Sequence, residues 1–230
     1  MDIIPLDWDS DFFGLRIAKA VVSSEEDVVA LSQRERVLRN HFDLIYIFSE
    51  PVIDILFDNV RLVDRKAIFS SNHLQENEDC PAIVQWKSPD ATDSLVSLAL
   101  VSGEYSRFKT DPRLPVGSYE RLYTRWIEQS VNGAMATEVF CFMIDGNPRG
   151  LLTLDRRNEP STIGLVAVDG ECQHQGIGTA LVRHAISYVH KHEGEWISVA
   201  TQLDNEPACH LYSKCGLSLE SVKKIWHWWL

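Results

Sequence analysis

One stretch of the chain has residue types and spacing suited to holding an anion. Gln173-His174-Gln175-Gly176-Ile177-Gly178 runs directly into Thr179-Ala180-Leu181-Val182, and the apolar run Thr162-Ile163-Gly164-Leu165-Val166-Ala167-Val168 precedes it. The pattern predicts a strand, a glycine turn and the first turn of an amphipathic helix. Backbone N–H groups at such a turn have no intrahelical acceptors and sit at the positive end of the helix dipole. They suit a pyrophosphate. Glycine matters there because a Cβ would hold the ligand away from the backbone.

Two other readings of the turn stand beside this one, a dinucleotide fold and a plain structural turn. Gly176-x-Gly178-x-x-Leu181 lacks the third glycine of G-x-G-x-x-G, and residues 169–175 make a long connection for a dinucleotide-binding turn. No G-K-[ST] follows, so a P-loop is excluded. His190-Lys191-His192 gives no metal site, because residues two apart on a helix diverge, and no H-E-x-x-H occurs. No metal is expected.

The elements that must position the turn can be read on both sides of it. Strands are predicted at residues 16–22, 43–49, 61–69 and 82–86, a helix from 23 to about 40, and a short helix over 51–58. Further on, helices are predicted at 92–102 and 119–132, with an irregular stretch at 106–118 that contains Pro112, Pro115 and Gly117. Strands at 138–144 and 151–154 flank Asp145-Gly146-Asn147-Pro148, a hairpin turn. A strand at 161–168, a helix at 178–192, a strand at 196–201, a helix at 205–214 closed by Gly216, and a strand at 218–230 complete the chain. The tail Trp226-His227-Trp228-Trp229 reads as a strand buried on both faces or as a contact between two copies of the chain, with core packing the default.

Composition limits the partners. The chain has 230 residues, 45% apolar and 24% charged, with a formal net charge of −11. That acidity argues against nucleic acid and against an anionic membrane surface. No apolar run reaches the roughly 18 residues that span a bilayer, and the N-terminus does not read as a secretion signal. Cys80, Cys141, Cys172, Cys209 and Cys215 are odd in number and scattered, as for reduced thiols of a cytoplasmic protein.

The order of elements, with a glycine turn after the third strand of the second half, resembles the GNAT superfamily of acyl-CoA N-acyltransferases. The family's acyl-CoA loop, Q/R-x-x-G-x-G/A, is matched by residues 173–178. A second signature, N-x-x-A-x-x-L-Y-x-x-x-G-F, is filled by Asn205, Ala208, Leu211, Tyr212 and Gly216, with Leu217 in place of the aromatic. The resemblance covers residues 92–230. Leu6-Asp7-Trp8-Asp9-Ser10-Asp11-Phe12-Phe13-Gly14, with Ser106-Arg107-Phe108, Leu122-Tyr123 and Trp126, is similar to the dTDP-fucosamine acetyltransferases, which acetylate the amine of a nucleotide-linked amino sugar.

What the resemblance implies is specific. The fold class is α/β, with a mixed sheet, in two portions: a smaller family-specific α/β portion at 1–90 and a GNAT domain at 91–230. Acetyl-CoA is the co-substrate, held by Gln173, His174, Gln175, Gly176, Ile177, Gly178 and Thr179, with Val166, Ala167 and Val168 supplying an oxyanion donor and Asn205 either touching the coenzyme or only capping its helix. Tyr212 is the general acid toward the departing thiolate, unless it is a plain core tyrosine. Beside the resemblance, loops and helix faces on a rigid scaffold commonly line acceptor pockets, which adds Arg107, Asp111, Tyr119, Tyr123 and Trp126 as lining candidates, unless Tyr123 and Trp126 are simply core aromatics. The acceptor is a small-molecule amine, first a nucleotide-linked amino sugar, then a protein or peptide amine; an acyl-CoA-binding module without activity is the third reading. The general base stays open among Glu138, Asp155 and the histidines.

Overall fold

The computed structural model describes residues 1–230. Its strands are β1 (Ile3–Pro5), β2 (Ile17–Val22), β3 (Leu44–Ser49), β4 (Val60–Ser71), β5 (Ile83–Gln85), β6 (Glu138–Ile144), β7 (Asn147–Asp155), β8 (Ser161–Val168), β9 (Ile197–Gln202) and β10 (Ser218–Trp229). Its helices are α1 (Asp7–Phe13), α2 (Glu25–Ser32), α3 (Glu35–Leu38), α4 (Asp93–Ser102), α5 (Arg107–Thr110), α6 (Ser118–Val131), α7 (Ile177–Lys191) and α8 (Glu206–Lys214). The strands form a single mixed sheet in the order β1-β2-β3-β10-β4-β9-β8-β7-β6-β5. That sheet runs across residue 90, because β4 lies between β10 and β9 and β5 pairs with β6.

Periodicity explains most of these elements. In α7, Ile177, Leu181, Val182, Ala185, Ile186 and Val189 are buried, the stripe expected of a helix laid on a sheet. In α6, Tyr119, Leu122, Tyr123 and Ile127 do the same. These helices cover opposite faces. On one, α7 and α8 pack with Ala67, Phe69, Ile163, Val199 and Tyr212; on the other, α4, α5 and α6 pack with Tyr46, Leu151, Leu165 and Ala167. A third cluster under α2 and α3 takes Trp226 and Trp228 into the core, so the tryptophan tail is buried within its own chain.

The sequence reading had no counterpart for β1 and α1 and took the stretch that holds α5 as irregular, and three of its own elements come out differently. The helix over 23–40 is broken into α2 and α3, because Ser32-Gln33-Arg34-Glu35-Arg36 offers no apolar side chain to hold a continuous stripe against the sheet. Residues 51–58 are not helical: Ile53 and Ile55 are buried while Val52 and Leu56 are exposed, an alternation of period two. The hairpin turn is shorter than expected. Asp145 (φ 50°) and Gly146 (φ 78°) alone make it, as in a type I′ turn, and Asn147 and Pro148 already belong to β7.

Candidate functional site

The site begins where two parallel strands part. β8 and β9 pair only at Ser161–Ile197, Thr162–Ser198 and Ile163–Val199, although both run on, to Val168 and Gln202. Beyond Ile163 a wedge opens between them. A bulge in β8 accompanies the opening: the register against β7 shifts between Leu152 and Leu154, and Leu165 N donates to Thr153 Oγ1 at 2.8 Å. Asp169 N donates to Arg149 O at 2.8 Å on the same side. Successive N–H groups of a strand alternate in direction. Those of Val166 and Val168 therefore face the wedge, while that of Ala167 faces β7.

The chain leaves β8 through a 3-10 turn at Gly170–Cys172 and enters α7 through residues 173–176. Asp169 anchors this exit, with Arg149 Nη1 at 2.7 Å and Glu171 N at 3.0 Å. Gln173 Nε2 donates to Val168 O at 3.3 Å and Gln175 Nε2 to Glu171 O at 3.4 Å, so two side chains fold the loop on itself. His174 (φ 61°) and Gly176 (φ 84°) both adopt left-handed backbone. The backbone N–H groups of residues 173–179 find no acceptor within the chain. Ser24, Thr92, Ser106 and Asn205 cap α2, α4, α5 and α8 through their side chains, whereas α7 begins at Gly176 with no side-chain cap. A Cβ on Gly176 would meet nothing within 4 Å, so the space above the amides is open. The donors, the dipole and the open approach fit the diphosphate of a coenzyme.

Gly178 ties the loop to the rest of the site. A Cβ there would lie 3.3 Å from Leu211 Cδ2 and 3.7 Å from Val168 Cγ2, so α7, α8 and the end of β8 converge on one glycine. One residue beyond Leu211, Tyr212 is 4% exposed and lies 5.9 Å, centroid to centroid, from the ring of Phe69. Burial pushes its phenol well above the ordinary range, and no protein group bonds its hydroxyl. Asn205 caps α8, its Oδ1 accepting from Ala208 N at 3.2 Å.

On the opposite face of the sheet lies a polar cluster centred on Arg107. Its guanidinium is 5.2 Å from the ring centroid of Tyr46 and 4.3 Å from that of Phe108. Tyr123 is buried beside it, its ring 5.0 Å from Tyr119 and 4.8 Å from Trp126. A Cβ on Gly103 would lie 2.3 Å from Tyr123 Cζ, so only glycine leaves room for that ring. The structure thus brings Arg107, Tyr123 and Asp111, all named from the sequence, to one face of the sheet; the sequence reading did not name their neighbours Asp64 and Tyr46, and offered His227 only as one of the histidines. Asp64, on β4, is 6% exposed. Burial pushes its carboxyl up to about 6, against the pull of the Arg107 charge and the Gln202 amide. The available signal was a charge in alternate register with Ala67 and Phe69, hence on the other face of β4. Of the candidate bases named from sequence, Glu138 pairs with Gln85 and Arg156 and Asp155 with Arg157 at 2.7 Å, while one of the histidines, His227, lies in this cluster.

Residues 101–217 match the acetyltransferase (GNAT) family. The chain belongs to that family. This acetyltransferase is 26% identical to a dTDP-fucosamine acetyltransferase from Escherichia coli O6:H1, over 96% of this chain and 95% of that protein. It is 25% identical to the spore coat polysaccharide biosynthesis protein SpsD of Bacillus subtilis, over 61% of this chain and 48% of that one. Among solved structures, a GNAT-family acetyltransferase from Novosphingobium aromaticivorans superposes with a TM-score of 0.54 at 17% identity, covering 82% of this chain and 75% of its own. A GCN5-related N-acetyltransferase from Sphaerobacter thermophilus gives 0.58 at 11%, covering 88% and 66%. The acetyltransferase is therefore an acyl-CoA-dependent enzyme with the α/β fold of that family.

Proposed function

We propose that the enzyme acetylates the primary amine of a nucleotide-linked amino sugar by direct attack in a ternary complex. The observation that carries this reading is the pairing of two half-sites across one opening. Bare amides of residues 173–179 and the edge of Val166 and Val168 lie at the wedge between β8 and β9, and a cluster of buried, unpaired polar atoms that includes Asp64 and Arg107 lies on the far face beside β9. The near end-to-end likeness to an enzyme named for a sugar amine supports the choice of acceptor.

Acetyl-CoA supplies the activated thioester. The chain's residues do the rest. The amides at the entrance of α7 hold the diphosphate, and the Val166 N–H donates to the carbonyl oxygen as negative charge gathers there. Asp64, buried without a partner on Oδ1, pairs with the incoming ammonium and takes its proton, leaving a neutral amine. Tyr212 donates a hydrogen bond to the departing sulfur; with its phenol raised by burial, it stabilises the thiolate without giving up its proton. Holding both substrates across the wedge supplies much of the rate, so no covalent enzyme intermediate is required.

Thiol release measured with dTDP- and UDP-linked amino sugars beside peptide amines tests the acceptor. Turnover confined to peptides would reject the sugar reading in favour of a protein N-acetyltransferase, and acetyl-CoA binding without turnover of any amine would leave a binding module.

A further inference from the structure

Four buried polar atoms without a hydrogen-bond partner gather around Arg107: Tyr46 Oη, Asp64 Oδ1, His227 Nε2 and Arg107 Nε itself. They come from β3, β4, β10 and α5. Protein interiors leave few such atoms unpaired, because each has given up its bonds to water without a replacement. Tyr46 is 1% exposed and His227 fully buried, and their rings stack at 4.8 Å and 24°. The charge of Arg107 is felt by Tyr46, Asp64 and His227 alike.

The protonation of the cluster follows from Asp111. Burial works against its charge, but hydrogen bonds from His227, Arg113 N and Trp229 outweigh that and hold the carboxyl down at about 2. Its Oδ2 lies 2.6 Å from His227 Nδ1 and 3.0 Å from Trp229 Nε1. The proton of the imidazole therefore sits on Nδ1. Burial keeps His227 below its ordinary range despite Asp111, so the ring is neutral and Nε2 offers a lone pair.

Building on the acyl-transfer reading above, we propose that Tyr46 Oη and His227 Nε2 bind the neutral, hydroxyl-bearing ring of the acceptor, which enters ring first with its phosphates left outside. The hydrogen-bonding needs decide the class. Asp64 and His227 require donors, Arg107 requires an acceptor, and Tyr46 takes either. Ring hydroxyls supply both. Phosphate oxygens only accept, so they would leave Asp64 Oδ1 and His227 Nε2 without the donors they need. A lysine side chain brings an apolar stem that would leave Tyr46 and His227 unpaired. Asp111 is a positioning residue, acting through His227.

Tyr46→Phe tests this cleanly, because it removes a hydroxyl that bonds nothing in the protein. The thermal midpoint should stay or rise, and calorimetric affinity for acetyl-CoA should stay. KM for a dTDP-linked 4-amino-4,6-dideoxyhexose should rise about tenfold, the worth of one strong hydrogen bond. His227→Gln, which keeps a polar group near the position of Nε2, should lose less than His227→Phe. An acceptor analogue lacking the ring hydroxyl should cost wild type the same factor and cost Tyr46→Phe nothing further. If wild type acetylates the nucleotide sugar while KM is indifferent to these variants, or if acetyl-CoA affinity falls in step, this inference alone is overturned. If wild type acetylates only peptide amines, the reading beneath it falls as well.

Discussion

Gly150 of β7 and Ile177, the first residue of α7, approach so closely that a Cβ on Gly150 would lie 2.8 Å from Ile177 Cγ2 and 2.9 Å from Leu181 Cδ1. Gly150 also pairs with Val168 at the end of β8. It is thus the seat on which the helix entrance rests beside the wedge. Gly150→Val overpacks that seat, at a cost of about 1–3 kcal/mol. The thermal midpoint should fall by several degrees, and calorimetry with CoA should show weaker binding because the amides at the start of α7 are displaced. Unchanged CoA affinity in a destabilised variant would show that the seat does not position the loop.

Gly176 makes the complementary case. Its Cβ position is empty, so Gly176→Val meets no steric barrier, only the strain of φ 84°, about 1–2 kcal/mol for a side chain in left-handed backbone. The fold should survive with a cooperative melt, while the branched side chain occupies the approach to the free amides. CoA binding should drop below detection. Retained affinity would remove residues 173–179 from the coenzyme site.

The contrast between these glycines shows what could be read from sequence. Gly176 announces itself, because its neighbours in the chain are its neighbours in the site. The loop and the helix it opens follow from short-range spacing; Tyr212 follows from the resemblance to the acyltransferase family. Gly150 reads only as a hairpin residue; its role appears once α7 is laid across β7. The acceptor side is harder still. Tyr46, Asp64, Arg107 and His227 come together only because β10 inserts between β3 and β4, a long-range pairing that no local pattern encodes. His227 sits among three tryptophans and reads as core; alternation alone puts it on the face opposite Trp226 and Trp228.

Tyr212→Phe separates chemistry from binding. The hydroxyl bonds nothing in the protein, so its loss should cost the fold little, and the ring keeps its packing near Phe69. If it stabilises the leaving thiolate, kcat should fall on the order of 100-fold, within the range of acid–base groups, with acetyl-CoA affinity unchanged. Rates equal to wild type would return Tyr212 to the core as an ordinary packing residue.

Asp64 should reveal itself through pH in two opposite ways. As the group that takes the amine's proton, it must be ionised, so kcat/KM should rise with pH through about 6 and then level. Stability runs the other way. The carboxyl titrates at about 6 when folded and near 3.8 when unfolded, so its stabilising share is full below pH 3.8 and is lost as pH rises through 6. At pH 8 the buried, ionised Asp64 costs the fold on the order of 3 kcal/mol by this linkage. Asp64→Asn removes that cost, and denaturation at pH 8 should show a variant more stable than wild type, with the gain vanishing toward pH 4. The same variant should lose most of its activity and its rise near pH 6. A variant that is active with the rise intact would exclude Asp64 as the base, and one that is less stable at pH 8 would mean the carboxylate is better satisfied than its orphaned Oδ1 indicates.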